Sequence, residues 1–380
     1  MEQKKQRDSN IELFRIITML LIVAHHYVVN SGLMEILSKD PTNAKSLIYL
    51  VFSAWGKTGI NCFVLITGYF MCRSNLTLRK YLKLLLEVYF YRFVIYALFL
   101  VFGRQTFSVS KILMMLLPFS SITDEFTSCF LAFYLFIPFL NLAINAMNRK
   151  QHGLLVCLLL LVYTVLATIP KVHVVFNYVT WFIVLYFVGS YLRLYPVKWV
   201  ENHAGRKLLV TNVLAVSSFV LLVFYVKRGG RELYAAYYLI SDSNKPFAFL
   251  IAVFAFSFFR QLNLGYHSWI NTLASTTFGV LLIHANSDAM RAWLWGDLLK
   301  NGSMYYNQWW ILHALLSVLA VFCVCSFLDY LRICLIERPF FRLYDKHEVQ
   351  ILQNGRNVLL LTSNYVNRGV NNLPILTAYS

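Results

Sequence analysis

The chain has 380 residues, of which 59% are hydrophobic and 13% are charged, and its mean hydropathy is +0.59. Soluble domains do not reach these values, so the composition excludes a soluble enzyme and indicates an integral membrane protein. The net charge of +17 does not indicate a nucleic-acid partner, because the lysines and arginines cluster at the ends of apolar runs rather than on one polar face.

Apolar runs recur along the chain, and a helix needs about 20 such residues to cross the hydrocarbon layer. The pattern predicts an all-α, polytopic membrane protein with about ten transmembrane helices. The predicted spans are 11–30, 47–71, 82–102, 127–147, 153–170, 176–195, 207–226, 246–263, 273–292 and 308–334. The run KILMMLLPF at 111–119 is too short to span, and we expect it to lie at the interface or to re-enter.

The spans are predicted to form one domain, because no linker rich in Ser, Pro or Gly separates them. We expect residues 1–346 to be an integral membrane domain and residues 347–380 to be a flexible cytoplasmic tail. The bias of Lys and Arg between the two sides favours both termini in the cytoplasm of a multi-pass protein. Glu12 and Arg15 interrupt the apolar core of the first thirty residues and no cleavage site follows, so the first helix is expected to be retained.

Arg15 and His26 lie eleven positions apart inside the first predicted span. At the helical period this spacing places both side chains on one face, with a rise of about 16 Å between them. Glu12 precedes Arg15 by three positions and is a plausible partner for it. Ionisable groups at membrane depth are costly, so their positions are the best guide to function. The alternatives are that Arg15 only anchors the helix at the interface and that Glu12 is only its ion-pair partner.

Other polar residues at membrane depth are His25, His284, His313 and Arg92. A neutral imidazole can take a proton from a hydroxyl or accept an acyl group, and an arginine can hold a phosphate or carboxylate through paired donors. Each position also has a structural interpretation. His25 points about 80° away from Arg15 and fits a packing or supporting role. His284 and His313 can simply bond a neighbouring helix.

Several motifs are missing from the sequence. It has no Walker A, GxSxG or HExxH motif, so ATP-driven transport and serine hydrolysis are unsupported. The seven cysteines lack metal-ligand spacing, and we expect neither a metal site nor a permanently bound cofactor.

The Arg15-x10-His26 spacing, with Glu12 at minus three, resembles the signature of the membrane-bound acyltransferase-3 family. Further stretches resemble family patterns in the same order over roughly residues 10 to 342. They are GINCFVLITGYFM at 59–71, FLAFYLFIPFLN at 130–141, WFIVLYFVGSYLRLYP at 181–196, TFGVLLIH at 277–284 and IERPFFR at 336–342.

The resemblance implies an O-acetyltransferase that moves an acyl group, usually acetyl from acetyl-CoA, to a hydroxyl of a cell-surface or lipid-linked glycan. By position, His26 is implied as the essential histidine and Arg15 as the arginine tied to it or to the donor. Family members often have two arginines separated by two residues in the third helix. Here those positions hold Tyr89 and Arg92, so Arg92 alone inherits an acyl-donor-binding role.

Many relatives carry a fused soluble hydrolase-like domain, and its absence here suggests a stand-alone enzyme of the bacterial cell membrane that modifies a polysaccharide such as O-antigen or exopolysaccharide. Its expected partners are acyl-CoA, a glycan or lipid-linked saccharide and the lipid bilayer. The oligomeric state stays open. Two rival functions are a polysaccharide flippase, which should show repeat symmetry or paired broken helices, and a glycan polymerase, which should carry a large extracytoplasmic loop.

Overall fold

The computed structural model describes residues 9–119, 125–175 and 177–347. Within these ranges the regular elements are all helical and no strand occurs, which confirms the predicted all-α class. The α-helices are α1 (Ser9–Val29), α2 (Leu33–Lys39), α3 (Ala44–Ser53), α4 (Gly56–Met71), α5 (Leu78–Val101), α6 (Val109–Leu116), α7 (Phe126–Ala146), α8 (Arg149–Leu160), α9 (Tyr178–Leu194), α10 (Lys198–Glu201), α11 (Ala204–Arg228), α12 (Pro246–Gln261), α13 (Ser268–Ala274), α14 (Thr277–His284), α15 (Asp288–Arg291), α16 (Asn301–Met304) and α17 (Trp310–Arg332).

Seven helical stretches among the described residues are long and apolar enough to cross a membrane. They cover seven of the ten predicted spans and are Ser9–Val29, Ala44–Met71, Leu78–Val101, Phe126–Ala146, Arg149–Thr168, Ala204–Arg228 and Trp310–His347. Two more predicted spans are the shorter apolar helices α9 and α12. The protein is therefore a multi-pass membrane protein. The short apolar run at 111–119 overlaps α6, which has only eight residues.

The predicted ninth span, 273–292, differs from the structure because it is not one continuous helix. It is divided into α13, α14 and α15. At the first break, the hydroxyls of Ser275, Thr276 and Thr277 each donate to the backbone carbonyl three residues earlier, at 2.6 to 2.9 Å. Such local bonds compete with the helical ladder, so this polar triplet explains the interruption. The break matters because α14 ends at His284.

Side-chain caps fix where several helices begin. Asn43 and Thr77 accept a backbone N–H at the starts of α3 and α5. Asn148 and Asn177 form capping boxes at the starts of α8 and α9. Each cap satisfies a donor that the helix itself leaves unpaired, a contribution of about 1 kcal/mol.

Helix α1 is central to the described residues, since it packs against α3, α4, α12, α13 and α14. Its first residues are tied to distant segments. Ser9 Oγ accepts from the backbone of His267 at 2.7 Å, and Asn10 Nδ2 lies 3.0 Å from the carbonyl of Phe259 at the end of α12. These bonds fix the rotation of α1, and with it the face on which Arg15 and His26 lie.

Helices α4 and α9 approach closely at Gly68 and Gly189. A Cβ on Gly189 would lie 2.7 Å from the carbonyl oxygen of Leu65 and 3.0 Å from the amide nitrogen of Tyr69, both of which are backbone atoms that cannot move aside. Small residues at such crossings let helix backbones pack tightly in membranes.

We expect Gly189→Ala to lower the free energy of unfolding by about 1–3 kcal/mol, because the added methyl overpacks this crossing. The midpoint of thermal unfolding of the purified protein measures the effect. Gly296→Ala is the matched control, since a Cβ there has no atom within 4 Å among the described residues. Equal midpoints for the two variants would contradict this packing.

The chain divides into two units, Met1–Phe327 and Leu328–Ser380. In the second unit, Arg332 donates to Asp329 at 2.7 Å and to Glu337 at 2.9 Å, and all three side chains are buried. The predicted terminal Glu-Arg-Pro motif therefore contributes Glu337 to an internal ion pair. Apart from residue 347, the predicted tail at 347–380 lies outside the described residues.

Candidate functional site

The structure brings His26 and His284 together. Nδ1 of His26 lies 2.9 Å from Nε2 of His284, and the ring centroids are 5.1 Å apart. His26 comes from the C-terminal half of α1 and is half-buried, whereas His284 is the last residue of α14 and is fully buried. Nδ1 of His284 in turn lies 2.6 Å from the carbonyl oxygen of Val280.

This hydrogen-bond chain assigns the protons of the neutral pair. A carbonyl oxygen can only accept, so Nδ1 of His284 carries the proton that it donates to Val280. Its Nε2 is then the acceptor, and Nδ1 of His26 must be the donor. Nε2 of His26 is left without a proton, and it makes no hydrogen bond to any residue that the structure describes. That nitrogen has the lone pair that a general base or a nucleophile needs.

Aromatic rings and cations surround the pair. Trp295 meets His284 edge-on, with ring centroids 6.2 Å apart. The positive charges of Lys57 and Arg291 lie close enough to act electrostatically on His26. Lys57 also donates to the hydroxyl of Tyr178. Arg291 is itself paired with Asp288, so Lys57 contributes the less balanced positive charge, which favours negative charge that develops near His26.

His25 lies beside His26 but makes different contacts. Its Nδ1 donates to the carbonyl oxygen of Ser53 at 2.6 Å. Its ring packs against Gly56, where an added Cβ would overlap it. These contacts tie α1 to α3 and α4. His313 likewise bonds the Tyr27 hydroxyl at 2.8 Å and connects α1 to α17.

Arg15 lies on the same continuous helix as His26, with a rise of about 16 Å between them. Its Nε is 3.8 Å from a carboxylate oxygen of Glu12, which is an ion-pair distance but too long for a hydrogen bond. The Arg15 Nε is buried and makes no hydrogen bond to the part of the chain that the structure describes. The Arg15 side chain as a whole is 29% exposed, so it is open to a ligand.

Arg92 does not lie with Arg15. It donates to Glu125 and to Ser128 at 3.2 Å each, and to the carbonyl of Leu117 at 3.5 Å. Leu117 and Glu125 belong to the connection between the third and fourth spans. Consecutive spans alternate in direction, so this connection lies at the face opposite to the start of α1.

Arg92 lines a cavity of about 210 Å³. Asn286 and Ser287, two and three residues beyond His284, form another part of its wall. The polar groups around it combine a carboxylate, two cations, two amides and two hydroxyls, and the complete lining is Arg92, Ile95, Tyr96, Gln105, Lys111, Met114, Met115, Glu125, Asn286 and Ser287. Its polar lining beside the end of α14 makes this cavity a candidate ligand site.

The sequence patterns select neither Lys57 nor Arg291 as a site residue. The approach of both cations to His26 depends on how α4 and α15 fold against α1, which no local pattern in the sequence reports. Across residues 9–119, 125–175 and 177–347, no group of three His, Cys, Asp or Glu side chains converges as a metal site would require.

The model of the acyltransferase-3 family, described as an acyltransferase domain, matches residues 8–330. No curated protein and no solved structure matches the chain. The matched region contains α1 to α16 and nearly all of α17, and with them both histidines of the pair. The chain therefore belongs to the acyltransferase-3 family and is a multi-pass membrane acyltransferase.

Proposed function

We propose that the protein is an O-acetyltransferase that moves an acetyl group from acetyl-CoA to a hydroxyl of a cell-surface or lipid-linked glycan. The observation that carries the proposal is the hydrogen bond between His26 and His284, which leaves Nε2 of His26 unprotonated and without a partner among the described residues. In a chain of the acyltransferase-3 family, such a nitrogen at membrane depth is best explained by chemistry on an acyl group.

In the first route His26 acts as a general base. Nε2 takes the proton of the sugar hydroxyl while the sugar oxygen attacks the thioester carbonyl. The carbon–sulfur bond breaks, and the thiolate of CoA leaves and recovers the proton from the imidazolium of His26. The positive potential of Lys57 and Arg291 stabilises the negative charge on the carbonyl oxygen during the attack.

In the second route the same nitrogen is the nucleophile. Nε2 of His26 attacks the thioester carbonyl, the carbon–sulfur bond breaks, and CoA leaves as its thiolate. The sugar hydroxyl then attacks the acyl group on the histidine, the acyl–nitrogen bond breaks, and the hydroxyl proton balances the charge of the thiolate. Incubation with labelled acetyl-CoA and no acceptor separates the two routes. Stoichiometric label on the protein with release of one CoA indicates the acyl-histidine, and unlabelled protein indicates the general base.

Donor and acceptor approach His26 from opposite faces in this proposal. The donor enters from the face at which α1 begins, which we take as the cytoplasmic face of a bacterial cell membrane because of the charge bias. Arg15, with its partly exposed side chain, lies on that path. The glycan occupies the cavity near Asn286 and Ser287, so Arg92 serves the acceptor rather than the donor.

The test is acetyl transfer by the purified protein in liposomes. Labelled acetyl-CoA is supplied with a lipid-linked glycan extracted from the membranes of the producing cell. We expect the label on the glycan as an ester that mild alkali removes. Unlabelled glycan with every acyl-CoA tried would contradict the proposal, and glycan that crosses the bilayer or lengthens without label would favour a flippase or a polymerase.

We expect Arg15→Ala to lower kcat/KM for acetyl-CoA by about 10- to 100-fold, because a hydrogen bond to a charged group contributes roughly 1.5–3 kcal/mol. Arg15→Lys keeps the charge but not the paired donors, so its kcat/KM should lie between those of the wild type and Arg15→Ala. Initial rates over a range of acetyl-CoA concentrations provide the measurement. An unchanged kcat/KM in folded Arg15→Ala would leave Arg15 as an interfacial anchor only.

A further inference from the structure

Two arginines converge on the ring of Tyr69, close to the C-terminal ends of α4, α9 and α12. Arg193 donates from Nη1 to the Tyr69 hydroxyl at 2.9 Å, and its guanidinium carbon lies 4.8 Å from the ring centroid. The guanidinium carbon of Arg260 lies 6.0 Å from the same centroid. Tyr69 itself is buried and packs on Phe256, with ring centroids 5.0 Å apart.

The charges of this cluster, defined as Tyr69, Arg193 and Arg260, are incompletely balanced. Arg260 pairs with Glu201 at 2.7 Å, and both side chains are about one quarter exposed. Arg193 is exposed and, among the described residues, makes its hydrogen bond to the neutral phenol and has no carboxylate partner. Arg73 adds a further exposed cation, since both it and Arg193 act electrostatically on Cys72. The cluster therefore presents excess positive charge and free guanidinium donors.

The position of the cluster relative to His26 follows from the start of α1. Asn10 Nδ2 bonds the carbonyl oxygens of Phe259, Arg260 and Leu262, so the end of α12 lies level with Asn10. Along the same helix, Arg15 is about 8 Å further from that level and His26 about 24 Å further. The cluster, Arg15 and His26 thus follow one another from the face at which α1 begins towards the C-terminal end of α1.

We propose that Arg193 and Arg260 bind a phosphoryl group of the acyl-CoA donor. The planar guanidinium is the side chain best suited to phosphate oxygens, because it offers paired donors in a fixed geometry. A donor with its phosphates at the cluster has its pantetheine arm directed past Arg15 and its thioester end towards His26. This inference rests on the proposed function, since it assigns the donor-binding end of the same site. Tyr69 is a positioning residue that holds Arg193 in place.

The phosphate of an anionic lipid headgroup has the same chemistry, so the experiment separates the two sources. The Kd values of CoA and of pantetheine, which lacks the phosphates, are measured by calorimetry. The full-length protein is held in nanodiscs of phosphatidylcholine alone or with added phosphatidylglycerol. We expect Arg193→Gln and Arg260→Gln each to raise the Kd of CoA about tenfold or more in both lipids, with no change for pantetheine.

Arg206→Gln is the matched control, because Arg206 is exposed at the start of α11 and outside the cluster. It should leave the Kd of CoA unchanged. An unchanged Kd of CoA in both cluster variants overturns the inference. It is also overturned if the variants lose only the stabilisation of the protein by phosphatidylglycerol, because that result would identify a lipid site. Binding is measured without turnover. If CoA binding depends on the cluster but no glycan is acetylated, only the proposed function is refuted. If the glycan is acetylated but CoA binding does not depend on the cluster, only this inference is refuted.

Discussion

His26→Asn is expected to lower kcat for acyl transfer by about 10²- to 10⁴-fold, the range that a positioned general base contributes. The amide nitrogen of Asn occupies nearly the place of Nδ1 of histidine, so this variant keeps a donor for Nε2 of His284. It has no atom in the place of Nε2 of His26. We therefore expect the variant to keep the fold and the hydrogen bond to His284, whereas the proposed reacting nitrogen is removed. The measurement is kcat at saturating acetyl-CoA together with the unfolding midpoint.

His25→Ala is the natural control for this prediction, because the two histidines are adjacent in the sequence. Loss of the His25 imidazole leaves the carbonyl of Ser53 without its side-chain donor and opens space next to Gly56. We expect the free energy of unfolding to fall by about 1–3 kcal/mol and kcat to stay within a few-fold of wild type. The reverse outcome, with activity lost in His25→Ala and kept in His26→Asn, would move the chemistry to the neighbouring ring.

The helical phase of α1 could be predicted from the sequence because it depends only on local geometry. Arg15 and His26 share one uninterrupted helix, as the eleven-residue spacing requires. Most spans could be predicted for a similar reason, since crossing a membrane demands a long apolar run whatever the helix packs against. The prediction of a continuous ninth span was wrong because the hydroxyls at 275–277 form hydrogen bonds that a hydropathy pattern does not report.

The partners of each site residue could not be predicted in the same way. His26 and His284 are 258 positions apart, and their contact depends on how α14 packs against α1. Arg92 could be placed near the middle of α5. Its partner Glu125 lies beyond the third span, in a segment for which the apolar pattern predicts no structure. Local periodicity gives the face of a helix, whereas the arrangement of all the helices decides which faces meet.

The second large effect is expected at His284, which we interpret as the residue that sets the tautomer of His26. His284→Leu removes the acceptor for Nδ1–H of His26, so the proton is free to move to Nε2 and block the reacting nitrogen. We expect kcat to fall about 10- to 100-fold with little change in KM, because a buried donor left unpaired costs roughly 1–3 kcal/mol. Steady-state rates supply both constants.

His284→Gln distinguishes this role from simple packing, because the side-chain oxygen of Gln occupies nearly the place of Nε2 and can accept from His26. It should recover most of the kcat lost in His284→Leu. Nitrogen-15 spectra of labelled histidine give a readout that packing alone does not move: in wild type and His284→Gln the proton of His26 should reside on Nδ1, and in His284→Leu it should distribute to Nε2. Equal activity of the two variants, with the proton on Nδ1 in both, would show that His284 only fills space. Because Val280 fixes the proton of His284 through a backbone carbonyl, the orientation of the reacting nitrogen is set by the end of α14 itself.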